Sequence, residues 1–197
     1  MNIALADCGA GNLHSAEAGL RRAGATVRIT SAAADIDAAD KVVLPGDGHF
    51  ASCMREIDAR GLRAPLLRAA EQKPFLGICI GMQVLYEGSD EDPDTPGLGI
   101  LRGRVRKFPE TEKIPHIGWN TASAARPHPA FRGIAADARF YFIHSYYCPP
   151  DADAIAVSYY GETFAAAAAK GGIVAAQFHP EKSARPGAQL LRNFVAD

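Results

Sequence analysis

Short apolar runs alternate with amphipathic ones through the first half of the chain. "NIALAD" (2–7), "ATVRIT" (25–30), "KVVLPG" (41–46) and "PFLGI" (74–78) have the length and β-branched content of buried strands. Between them lie helical patterns. In "LHSAEAGLRRAG" (13–24), Leu13, Ala16, Leu20 and Ala23 share one face, and Gly24 fits the stop. "APLLRAAEQ" (64–72) has Pro65 in its first turn, where a missing N–H costs nothing. A further helix is expected over 81–87, directly after the strand at 74–78. Strands alternating with helices imply βαβ units and a mostly parallel sheet flanked by helices.

The second half has another rhythm. "RGRVRKF" (102–108), "RFYFIHSYY" (139–147), "AIAVSYY" (154–160) and "TFAAAAA" (163–169) read as strands with short polar turns, an antiparallel extension of the sheet. Alanine favours helix, so the last of these is ambiguous alone. Lys170-Gly171-Gly172, set between two apolar runs, tips it toward a hairpin into a strand at 173–178. "ARPGAQLLRNFVAD" (184–197) is a closing helix. The acidic, proline-bearing "EGSDEDPDTPG" (87–97) reads as a solvated loop.

Length fits one α/β domain spanning 1–197. A net charge of −1 points to neither nucleic acid nor an anionic membrane as partner. No basic n-region opens the chain, and no apolar stretch reaches the ~18 residues of a membrane span, so a cytoplasmic location is expected. The four cysteines, Cys8, Cys53, Cys79 and Cys148, form no CxxC pair, so neither a zinc site nor a disulfide framework is expected.

Candidate chemistry centres on Cys79. It lies between glycines in "GICIG", where a strand turns abruptly into a helix. Gly77 and Gly81 leave room for the close backbone approach of a nucleophile elbow, and a helix start favours thiolate. A buried structural cysteine is the plain alternative. "QFHPEKS" supplies a base and its orienter: in extended backbone His179 and Glu181 share one side. "LPGDGHF" (44–50) is a glycine-rich turn at a strand end, able to present amides to a negative charge, or simply a βα turn. "CGAGNLHS" (8–15) begins like a dinucleotide fingerprint, but His14 stands at its last glycine position, which argues against NAD or FAD.

The order "PGDGHF", "GICIGMQ", "QFHPEKS" resembles the class I, triad-type glutamine amidotransferases across nearly the whole chain. "ADCGAGNLHS", "GLGILRGRV", "IPHIGWN" and "YFIHSYY" resemble, within that family, the glutaminase subunits of imidazole glycerol phosphate synthase. The resemblance implies a triad of Cys79 as nucleophile, His179 as general base and Glu181 as its orienter. It implies an oxyanion hole from Ile80 and the Gly46-Asp47-Gly48 turn. It places Gln83, Glu91, His144, Ser145 and Tyr146 at the L-glutamine substrate, and Asn12, Trp119, Tyr141 and Lys182 at a partner. That partner would be a separate cyclase, built as a (β/α)8 barrel and forming a heterodimer with this chain. It would take ammonia and make imidazole glycerol phosphate and aminoimidazole carboxamide ribotide in histidine biosynthesis. No cofactor or metal is implied. A glutaminase subunit of another amidotransferase, or an idle partner-binding module, are the alternatives.

Two residues depart from the family pattern. Asp47 stands where valine is usual, and a carboxylate aimed at the oxyanion hole would oppose developing charge, so Asp47 is expected to face away from Cys79. Cys8 stands where tyrosine is common.

Overall fold

The computed structural model describes residues 1–9 and 11–197; Ala10, inside the glycine-rich stretch at 8–15, lies outside the described residues. Eight strands form the main sheet. Thr26–Thr30, Asn2–Ala6, Lys41–Leu44, Phe75–Ile78 and Ile173–Ala176 lie side by side in that order, each parallel to its neighbour. Glu162–Lys170, Ala154–Tyr160 and Ser123–Ala124 continue the sheet antiparallel. The expected α/β architecture with an antiparallel extension is therefore present.

The central strands are buried throughout, which is why they read as unbroken apolar runs rather than alternating ones. The alanine-rich segment is the strand Glu162–Lys170, registered Ala167↔Ala176 and Ala168↔Ala175 against its neighbour. Ala165 to Ala168 have no exposed surface. Ladder hydrogen bonds and burial on both faces override the helix propensity of alanine, a weak preference of under ~1 kcal/mol per residue.

Other elements differ from expectation. The segment at 87–97 is not a plain loop: Gly88–Ser89 and Asp92–Pro96 pair antiparallel. They join Arg104–Lys107 and Tyr146–Tyr147 in a separate four-stranded sheet. The helix after Cys79 is a single turn, Ile80–Gln83, not seven residues. Helices Ala33–Ala38 and Phe50–Ala59 were not expected. His116–Thr121 pairs with Arg139–His144 as a two-stranded ribbon. Among the described residues, no helix is long and apolar enough to cross a membrane.

Lys41–Leu44, Phe75–Ile78 and Ile173–Ala176 are neighbours, so the turn at 45–49, Cys79 and His179 emerge together at one edge. Ligands of open α/β sheets bind at this carboxyl edge.

Candidate active site

The elbow is built by close backbone approach. A Cβ on Gly81 would lie 1.9 Å from the Leu44 carbonyl oxygen, and one on Gly77 would lie 2.7 Å from that of Gly81. Only glycine permits both contacts. Cys79 takes φ 55° and ψ −111°, a region side chains rarely adopt and one often held at functional positions. Its amide donates to the Ala176 carbonyl (2.8 Å), extending the sheet ladder up to the nucleophile itself. Cys79 is 3% exposed, yet it lines a cavity of about 320 Å³. Asp47, Gln83, Glu91, Ser145, Tyr146 and Lys182 share that lining.

His179 arrives from the adjoining strand. Gln177 and His179 hold their amides on the Ala166 and Tyr141 carbonyls, and Pro180–Lys182 then turns the chain away. His179 Nδ1 lies 2.8 Å from Glu181 Oε1, and both side chains are almost fully covered, at 3% and 4% exposure. That bond fixes Nδ1 as the donor and leaves Nε2 facing the site. Nε2 has no hydrogen-bond partner among the described residues. One donor atom each of Cys79, His179 and Asp47 lie within 4.8 Å of one another. Burial alone would lower the His179 pKa. The interactions with Cys79 and Glu181 outweigh it and raise the pKa to about 10.

Asp47 overturns the expectation that it faces away. Its Oδ1 is 3.7 Å from His179 Nε2, while Oδ2 accepts from the Asn12 amide (3.1 Å). The physical reason is local: Gly11 packs on the Gly46 backbone, so the Asn12 N–H stands over the turn and draws the carboxylate inward. The Gly46 carbonyl accepts from the Ile80 amide (3.3 Å). That amide is thus occupied, and the Gly46 carbonyl must swing aside before Ile80 can donate to anything else.

Gln83 is buried and its Nε2 donates to the Tyr146 carbonyl (3.0 Å) and to Gln177 Oε1 (2.9 Å). Gln177 Nε2 in turn reaches Cys79 Sγ at 3.8 Å. Gln177 was missed from sequence, though the signal existed: two residues before His179, it shares its side of the strand. Glu91 lines the cavity with its oxygens already engaged, Oε2 by the Phe50 amide (2.7 Å) and Oε1 by His49 Nδ1 (2.9 Å). Ser145 and Tyr146 face the cavity beside it. Asn12 caps the helix Leu13–Arg22 by accepting from the Ser15 amide (3.1 Å).

The His144 ring turns inward, to Phe108 and Phe164. Its Nδ1 donates to the Tyr146 carbonyl (2.8 Å), so its Nε2 must accept from His116 Nδ1 (3.0 Å). Both rings are therefore neutral donors and acceptors, and burial lowers their pKa values, to about 3 for His144 and about 4 for His116. With folded values below the ordinary 6.5, their stabilisation is complete above pH 6.5 and is lost as pH falls toward 4 and 3. On the order of 2–3 kcal/mol per ring should disappear between pH 6.5 and 4.5. Urea unfolding at pH 7 and 4.5 checks this: the double variant His116→Gln, His144→Gln should lose less stability over the interval, and an equal loss contradicts the assignment.

Trp119 and Tyr141 are register partners on the ribbon, their ring centroids 6.1 Å apart. Ile117 and Ile143 are the next pair on the same face, and Ile117, Trp119 and Ile143 are 57%, 49% and 38% exposed. The opposite face carries Phe140, Phe142, His144 and His116 into the core.

The fold defines a class I glutamine amidotransferase domain. The family model described as "Glutamine amidotransferase class-I" matches residues 4–197. The chain is 49% identical to imidazole glycerol phosphate synthase subunit HisH of Deinococcus radiodurans, covering 98% of this chain and 92% of that one. It is 46% identical to the HisH subunit of Aromatoleum aromaticum, with 99% and 98% covered. The chain therefore belongs to the class I glutamine amidotransferases, in the family of imidazole glycerol phosphate synthase subunit HisH. Solved structures agree on the fold. The crystal structure of one glutamine amidotransferase superposes with TM-score 0.77 at 16% identity, covering 98% of this chain and 97% of that one. The structure of PurLQS from Thermotoga maritima gives 0.71 at 15%, covering 99% and 97%.

Proposed function

We propose that the chain hydrolyses L-glutamine at Cys79 and hands the ammonia to a cyclase subunit that makes imidazole glycerol phosphate. The observation carrying this reading is that Cys79, at the wall of the cavity, has His179 within 4.8 Å and Glu181 bonded to that histidine behind it. The Cys79 thiolate attacks the glutamine amide carbon, and the carbonyl oxygen takes up the negative charge. His179 Nε2–H gives its proton to the leaving nitrogen, and ammonia departs from the thioester. His179 then takes a proton from water, the hydroxide attacks, and glutamate leaves as the thiolate is regenerated. Glu181 holds the imidazole in the tautomer that aims Nε2 at the site and stabilises its charge.

Ile80 and the Gly46-Asp47-Gly48 turn receive the oxyanion once the Gly46 carbonyl releases the Ile80 amide. That requirement supports a glutaminase that is slow alone and fast when a partner shifts the turn. Gln83, Glu91 and the backbone of His144, Ser145 and Tyr146 hold the substrate. The exposed Ile117, Trp119 and Ile143, with the half-buried Tyr141 between them, support a docking face, since large apolar side chains gathered on one surface mark interfaces. Asn12 and Lys182 flank the site on the same reading. A dry passage at this face matters because free ammonia is mostly protonated, and so poorly nucleophilic, at neutral pH.

Glutamate release from glutamine, measured with and without a purified (β/α)8 cyclase subunit, tests the proposal. Release should rise at least tenfold with the partner and vanish in Cys79→Ala. Release independent of Cys79 rejects the mechanism. No release in the complex favours an idle binding module.

A further inference from the structure

Asp47, Cys79 and His179 come from three distant segments and converge beside the cavity that Asp47 and Cys79 line. Their donor atoms, a carboxylate oxygen, a sulfur and an imidazole nitrogen, lie within 4.8 Å of one another. Among the described residues, no other group of three His, Cys, Asp or Glu side chains does so. A second observation points to a ligand. His179 is only 3% exposed, and its Nε2 is aimed at this point with nothing to bond among the described residues.

We propose that Asp47, Cys79 and His179 bind a borderline-soft divalent cation of the zinc class, which blocks the site by taking nucleophile and base together. Tetrahedral zinc, with bonds of about 2.0–2.3 Å, sets its donors roughly 3.4–3.6 Å apart. Asp47 Oδ1 and His179 Nε2 are already 3.7 Å apart. Closing the remaining separation takes about 1 Å of movement, and the Asp47 side chain, 40% exposed, has freedom to swing. The fourth position opens onto the cavity of about 320 Å³, where a water can enter.

The surrounding bonds suit this. Glu181 accepts from His179 Nδ1 at 2.8 Å, the carboxylate–histidine arrangement that orients an imidazole toward zinc. The Asn12 amide holds the second Asp47 oxygen at 3.1 Å. Sulfur and imidazole donors select zinc, cobalt or cadmium over magnesium and calcium. Spacing along the chain gives no sign of such a site, because its ligands become neighbours only at the sheet edge.

The unpartnered chain can be dialysed against zinc chloride and titrated with cobalt(II), reading thiolate-to-metal charge-transfer absorption. One cation per chain is expected. The band should be absent in Cys79→Ala, and Asp47→Asn should weaken zinc binding at least tenfold. A band that persists in Cys79→Ala, or zinc affinity unchanged in Asp47→Asn, overturns the proposal. A third reading needs no variant: saturating zinc should slow iodoacetamide alkylation of Cys79 at least tenfold, followed by peptide mass spectrometry. An unchanged rate also overturns it. None of these readouts is ammonia release, so their failure leaves the glutaminase mechanism standing.

Discussion

Exchanging His179 for asparagine is expected to lower glutamine turnover in the cyclase complex by about a thousandfold while leaving the complex assembled. Asparagine is the informative choice. Its amide can still donate toward Glu181, as Nδ1 does at 2.8 Å, but it offers no base where Nε2 stands. Alanine would instead leave the Glu181 carboxylate, 4% exposed, without its partner. Stranding a buried charge costs about 3–5 kcal/mol, so a loss of activity there would be confounded with a loss of fold. Single-turnover assays together with size-exclusion of the mixed subunits separate the two causes. Turnover within tenfold of the parent would remove His179 from the proton transfer.

The second large effect is structural. Gly81→Ala would put a methyl carbon 1.9 Å from the Leu44 carbonyl oxygen and 2.8 Å from the Leu44 carbonyl carbon. Those atoms belong to the backbone of a central strand and have no rotamer to adopt. The elbow must lift by more than ~1 Å, carrying Cys79 away from His179 and disturbing fully buried packing. A destabilisation above about 3 kcal/mol is expected, which for a chain of this size lowers Tm by roughly 10 °C. Gly61→Ala is the control. It has positive φ (67°), but nothing lies within 4 Å of its added carbon. It should cost only about 1–2 kcal/mol from the left-handed backbone alone. Thermal melts of both variants read the difference directly, and similar shifts would mean that the crossing at Leu44 is not tight.

Much of this site could be read from local pattern. The extended geometry that puts His179 and Glu181 on one side is a property of three consecutive residues, and the two are bonded in the fold. The glycines around Cys79 announced a crossing that only a residue without Cβ allows. Some signals went unread. Phe50, Cys53, Met54 and Ile57 line one face of the helix Phe50–Ala59 at helical spacing, so that element was legible. The helix Ala33–Ala38 was not: only Ile36 in it is buried, and one apolar residue makes no stripe. The acidic segment 87–97 misled because its strands form a small sheet with partners at 104–107 and 146–147, an association no local pattern encodes.

What the sequence determined by itself was the strand–helix alternation of the first half, the abrupt turn at Cys79 and the pairing of His179 with Glu181. Each depends on backbone chemistry within a few residues. Tertiary structure alone decided that the acidic segment joins a small sheet, that Asp47 leans toward His179, and that the Ile80 amide is held by Gly46. Those outcomes turn on which strand lies beside which. Contact between groups far apart in the chain is fixed by packing, and it leaves no periodicity to read.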